Sequence, residues 1–118
     1  MNRNYSSLLP CVLNALYPDE KERRRVKEIL TSYGKASFHQ EQDRVQLGIL
    51  KLASVEPEKL EAFTQLACED FRDLLCAAEY PLTSHCYGLR DKDPEKYIRL
   101  EQKEITEYDQ WLSKILSA

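Results

Sequence analysis

Leu9, Val12, Leu13 and Leu16 recur at i, i+3, i+4 and i+7 behind Ser6 and Ser7 as possible caps, the spacing that gathers side chains on one side of an α-helix. A first helix is therefore predicted over residues 7–16, with Pro10 in its first turn, where the missing N–H does no harm. Tyr17 and Pro18 end it. From Asp19 to Tyr33 a second helix places Val26, Ile29, Leu30 and Tyr33 on one face, and Gly34 follows as a C-terminal stop. Ser37 and Gln40 then form an S-x-x-Q capping box, which opens a third helix reaching to about Ala53. Within it Phe38, Val45, Ile49 and Leu52 share one side while Leu47 and Leu50 point roughly opposite, as expected for a central helix. The alternation of Val45, Leu47 and Ile49 also fits a strand, but the capping box and the length of the stretch favour helix. Gly48 would permit another backbone to approach closely.

Pro57, at a first helical position, opens a long fourth helix with no breaker before Glu79. Leu60, Phe63, Ala67, Phe71, Leu74 and Ala78 alternate spacings of three and four along it, the seam of a bundle helix. Residues 81–92 read as the longest irregular stretch. Asp93 and Pro94 then start a last helix running to about Leu116, with Tyr97, Ile105, Tyr108, Leu112 and Ile115 inward. The expected fold is all-α, a single-domain antiparallel bundle of about five helices over residues 1–118.

Composition strengthens that reading. A chain of 118 residues suits one compact domain, and only 3 Gly and 5 Pro leave little room for a turn-dense β-sandwich or a linker-rich protein. The net charge of −3 speaks against generic attraction to nucleic acid or to an anionic membrane. Arg23, Arg24 and Arg25, beside Lys21 and Lys27, do not alter this, since on a helix they point about 100° apart. Glu20 and Glu28 stand at pairing distance from them, so the run reads as a solvated helix face. The apolar stretch Leu8 to Leu16 is interrupted by Pro10 and Asn14 with no cleavage pattern after it, and Asn2 excludes N-myristoylation. No stretch approaches the roughly 18 apolar residues of a membrane span. A cytoplasmic protein is expected, with Cys11, Cys68, Cys76 and Cys86 as thiols and no cofactor.

Chemistry could reside in two places. The first is the loop after the fourth helix, where His85, Cys86, Tyr87 and Arg90 concentrate polar and aromatic groups in the one loop long enough to form a binding surface. Cys86 beside His85 is the candidate nucleophile, although adjacent residues rarely present their side chains to each other. Neither C-x-x-C nor a spaced histidine pair occurs, and Cys68 and Cys76 on one helix are too far apart to bridge. The second place is the carboxylates. Glu101 and Glu104 fall within about 40° of Tyr108 on the inward stripe of the last helix, and Asp70 with Asp73 supplies a second pair. Paired carboxylates of this kind can hold Mg²⁺ or Mn²⁺ for phosphoanhydride cleavage, as they do in all-α nucleotide pyrophosphatases. This chain departs from that pattern: D-x-x-D precedes E-x-x-E, Asp73 points away from the seam, and no basic cluster reads a triphosphate. Alternatively Glu101 and Glu104 pair with an arginine such as Arg44 or Arg90, or lie where the last helix overhangs the bundle.

The expected function is that of a non-enzymatic interaction or regulatory module binding a protein partner or itself. Ala62, Leu66 and Ala77, off the main seam, suggest a second apolar flank and a homodimer. A divalent-metal hydrolase using Asp70, Glu101 and Glu104 is the alternative. Inward tyrosines at Tyr33, Tyr97 and Tyr108 imply a semi-polar core or an interface, because their hydroxyls need partners.

Overall fold

A computed structural model describes residues 3–85 and 88–117. Among the described residues the chain is helical and contains no strand, so the stretch from Val45 to Leu52 is helix. Among the described residues seven α-helices stand where about five were expected: α1 (Tyr5–Leu16), α2 (Glu20–Leu30), α3 (Gln42–Ala53), α4 (Pro57–Glu69), α5 (Phe71–Glu79), α6 (Leu89–Lys92) and α7 (Pro94–Ser117). A 3-10 turn, Thr83–His85, follows α5.

The boundaries differ from the sequence reading wherever a polar side chain competes for backbone N–H groups. Asn4, not Ser6 or Ser7, caps α1, its side chain accepting from the Ser7 N–H at 3.2 Å. The helix thus starts earlier, and Pro10 falls inside it rather than in its first turn, on the exposed side. Asp19 caps α2 by accepting from the Glu22 N–H, and the helix ends at Leu30, before Tyr33. The Ser37–Gln40 box does not open α3. Instead the Tyr33 hydroxyl donates to the Gln40 carbonyl at 2.7 Å and accepts from the Gln40 N–H at 3.1 Å, which holds residues 31–41 as a turn. Glu41 then enters α3 from a left-handed conformation (φ 48°), and Phe38, expected inward, is 72% exposed.

The long helix from Pro57 to Glu79 is broken at Asp70, whose backbone is extended (φ −155°, ψ 91°). Its carboxylate accepts from the N–H groups of Arg72 (3.1 Å) and Asp73 (3.2 Å), a cap that competes with helix continuation. The supposed apolar flank is broken with it. Ala62 and Leu66 belong to α4, where Leu66 packs half-buried against the core, and Ala77 is exposed on α5.

Central burial of α3 follows the two-sided pattern of its sequence. Val45, Leu47, Ile49 and Leu50 are each at most 1% exposed, enclosed by α1, α4 and α5, and such residues contribute about 1.5–3 kcal/mol each. Gly48 lies where α5 presses closest: a Cβ there would sit 3.1 Å from Leu74 Cδ1 and 3.2 Å from Ala78 Cβ. The α3–α4 link has a different character, since Ser54 and Val55 both adopt positive φ (49° and 61°), a costly conformation for a β-branched side chain. α7 docks on α1 through Tyr108 and Leu112 and meets the 83–85 turn through Glu104. Its residues 94–103 contain no buried side chain, and neither does α6, which packs against them.

Candidate functional site

Pro81 ends α5 and turns the chain toward α7, where the backbone finds a carboxylate waiting. The N–H of Leu82 donates to Glu104 Oε2 at 2.9 Å and that of Thr83 to Oε1 at 3.0 Å. Glu104 is only 2% exposed, so its charge is satisfied by backbone donors rather than by Arg44 or Arg90. The turn pinned in this way carries His85, which is exposed, and leads on to α6 and Arg90. Cys86 and Tyr87 lie outside the described residues.

Arg90 faces a cleft of about 360 Å³ that it lines with Asp91, Pro94, Tyr97, Ile98 and Glu101. The structure therefore brings two separately predicted residues, Arg90 and Glu101, to one cleft, while Glu104 lies under the turn. Asp70 is elsewhere. It caps the start of α5, whereas Glu104 holds the turn after its end, and the 9 residues between span about 13 Å of helix. Asp70 and Glu104 cannot contact one ion across that distance. Among the described residues no group of three His, Cys, Asp or Glu side chains could hold a metal ion.

The cleft sits on a projection. α6 and residues 94–103 of α7 form an arm whose side chains are all at least partly exposed, with Ile98 at 55% and Tyr97 and Leu100 half-buried. Bases (Arg90, Lys92, Lys96, Arg99, Lys103) and acids (Asp91, Asp93, Glu95, Glu101) alternate along it, so it has no strong field of either sign.

Sequence reasoning missed a second polar assembly, at the junction of α1, α3, α5 and α7. Arg44 on α3 grips Glu79 on α5 with two nitrogens, Nε reaching Oε2 at 2.9 Å, and its Nη1 reaches Glu41 at 3.0 Å. Hydrogen bonding to Glu79 is the main cause that holds the Arg44 pKa above its ordinary value. Arg44 therefore partners Glu79, not Glu101 or Glu104. Glu79 stands four residues after Leu75 and so continues a buried stripe, a signal that was readable. Arg3, ahead of any periodic pattern, gave none. It donates to Asp109 at 2.8 Å and to the Ile105 carbonyl at 3.3 Å, with its guanidinium 4.3 Å from the centre of the Tyr108 ring. Lys51 Nζ lies 5.7 Å from the same ring, and burial pushes its pKa down.

Tyr108 is 1% exposed, and its hydroxyl has no partner among the described residues. Burial, then the negative charge of Glu79, pushes its pKa well above the ordinary tyrosine value. The neutral phenol is the form the fold holds, so this contribution to stability is intact below about pH 10 and is lost as pH climbs toward the raised value. In an alkaline titration at 295 nm, Tyr108 is expected to ionise last of the 7 tyrosines, together with the loss of helical circular dichroism. Its ionisation with the exposed tyrosines, while the helices persist, would contradict this.

Cysteine chemistry finds one further setting. Cys68 and His39 line a cavity of about 250 Å³ with Tyr33, Phe38 and Phe71. His39 stacks on Tyr33 and accepts from the Gly34 N–H through Nδ1 at 2.7 Å. Burial pushes the Cys68 thiol up, which keeps it protonated and a poor nucleophile. Comparison of the chain with protein-family models, with curated proteins and with solved structures found no match in any of the three.

Proposed function

We propose that this protein is a non-enzymatic helical interaction module and that the α6–α7 arm is its binding surface. The observation that carries the reading is the absence of any buried side chain in α6 and in residues 94–103, on a helix firmly seated further along by Glu104, Tyr108 and Leu112. A helix of 24 residues extended beyond its support exposes Ile98 and half of Tyr97 and Leu100 to water, a cost that contact with a partner removes. The alternating charges around this apolar centre match the polar rim of a protein interface and give no grip on a polyanion. The partner is accordingly a protein with an apolar anchor for the Arg90–Ile98 cleft. Among the described residues no helix is long and apolar enough to cross a membrane, which leaves the arm free of that role.

A photo-crosslinking residue at position 98, compared with one at exposed Lys27 on α2, tests the proposal in the cells that make the protein. The expected result is one adduct of defined mass from position 98 alone, competed away by excess native protein but not by the Ile98→Lys variant. Adducts from both positions alike, or from neither, would refute the assignment of the arm.

A further inference from the structure

We propose that the outer face of α1, together with the last two turns of α7, is a homotypic interface closed by the same face of a second copy of this chain. In a chain that is 31% charged, the 12 residues of α1 contain no Asp, Glu, Lys or Arg. The exposed positions Ser6, Ser7, Pro10, Cys11, Asn14 and Ala15 are small or neutral, although nothing within the described residues covers them. Beginning at the cap, Asn4, Leu8, Cys11 and Ala15 follow spacings of four, three and four, which place them in one stripe about 120° from the buried stripe. Such a repeat is the seam of a helix that packs on two sides.

The neighbouring face continues the pattern. Between α1 and α7 runs an open groove of about 710 Å³, whose walls include Ser7, Leu8, Leu112, Ser113 and Leu116. Leu116 is 41% exposed at its edge. At one end the Arg3–Asp109 pair neutralises itself, and Lys114, the one charged residue in the last two turns of α7, does not line the groove, so among the described residues a body lying in it meets no uncompensated charge.

The occupant is a second copy because of what that face can accept. Burying an unpaired charge against it would cost several kcal/mol. The outer faces of α2, α4 and α5 carry exposed Glu20, Arg24, Lys27, Glu58, Lys59, Arg72 and Asp73, so they cannot dock there without such burial. The neutral face matches itself, and a two-fold axis brings the same patch to both sides. α1, about 18 Å long, and the last two turns of α7, about 11 Å, lying side by side about 10 Å apart, offer on the order of 1,000 Å² of accessible surface counted over both copies. That is the lower edge of a specific interface, and it predicts micromolar association rather than an obligate dimer. The arm lies at the opposite end of α7, so a dimer would display two arms at once. The inference does not rest on the arm being a binding surface.

Sedimentation equilibrium of the full chain under reducing conditions is the test. Native protein is expected to dimerise with a dissociation constant of about 10–100 μM. The double variant Cys11→Glu and Leu116→Glu places like charges within the face and is expected to weaken association by about tenfold or more, with unchanged circular dichroism. Ser7→Glu alone, in the first turn of α1 where an acid is favoured, should weaken it in the same direction and guards against loss of folding in the double variant. Ile98→Lys, in the arm, should dimerise like the native chain. A native monomer up to about 500 μM, or a dimer that survives both sets of charges, overturns the inference. So does a dimer lost only in Ile98→Lys, which would move self-association to the arm.

Discussion

Arg44→Ala is expected to lower the unfolding free energy by about 3–5 kcal/mol, read from the urea midpoint at constant slope. The reason lies in the partner left behind. Glu79 is 4% exposed and receives its hydrogen bonds from Arg44, so truncating the arginine strands a carboxylate away from water. Against a typical stability of about 5–15 kcal/mol, that loss would leave many domains partly unfolded at ambient temperature. The converse substitution should behave differently. Replacing both members, Arg44→Met with Glu79→Leu, removes the desolvation cost with the attraction and is expected to lie within about 1 kcal/mol of the native protein. A cost below about 1 kcal/mol for Arg44→Ala alone would mean that Glu79 finds water or another donor when released.

The contrast between this pair and the rest of the core explains what the sequence made legible. Apolar periodicity located the helices, and the two-sided stripe of Val45, Leu47, Ile49 and Leu50 identified α3 as central, because burial is nearly additive along a regular helix. Local polar competition was harder to read. Asp70 falls between Ala67 and Phe71 of a seam that continues past it, and its own carboxylate, accepting from the N–H groups of Arg72 and Asp73, ends one helix and begins the next. The Ser37–Gln40 box satisfied its motif, yet Tyr33 captured Gln40 from an earlier turn. A spacing rule records neighbours in sequence, while a phenol or guanidinium reaches partners set by packing.

The candidate site divides along the same line. Arg90 was legible as a polar residue of the long loop and Glu101 as a carboxylate on the stripe of the last helix; the two share a cleft, but the arm that holds them arises from α6, read from the sequence as loop. Four polar residues in succession, from Arg90 to Asp93, hid a single helical turn that packs on α7. Glu104 was legible as a carboxylate on an inward stripe. What it faces was not, because its donors are backbone N–H groups, which every residue but proline carries.

Glu104→Ala is accordingly expected to destabilise the fold by about 2–3 kcal/mol, because two part-buried charge-assisted hydrogen bonds to its carboxylate are lost and the turn loses the acceptor that pins it to α7. Glu104→Gln should cost about 2 kcal/mol, since an amide oxygen still accepts from one N–H while its NH₂ opposes the other. Glu101→Ala, on the half-exposed side of the same helix, should stay within about 0.5 kcal/mol. Amide hydrogen exchange gives the local readout: the N–H groups of Leu82 and Thr83 are expected to lose protection in Glu104→Ala by about a hundredfold, before the core amides respond. Mn²⁺ separates this role from metal ligation. Carboxylates gathered for a cation repel one another without it, so the native chain would gain thermal stability with millimolar Mn²⁺ and Glu104→Gln would lose that gain. A carboxylate already occupied by two backbone donors predicts no gain in either protein. A Mn²⁺-dependent rise in melting temperature that vanishes in Glu104→Gln would therefore return Glu101 and Glu104 to metal chemistry and remove the structural account of this turn.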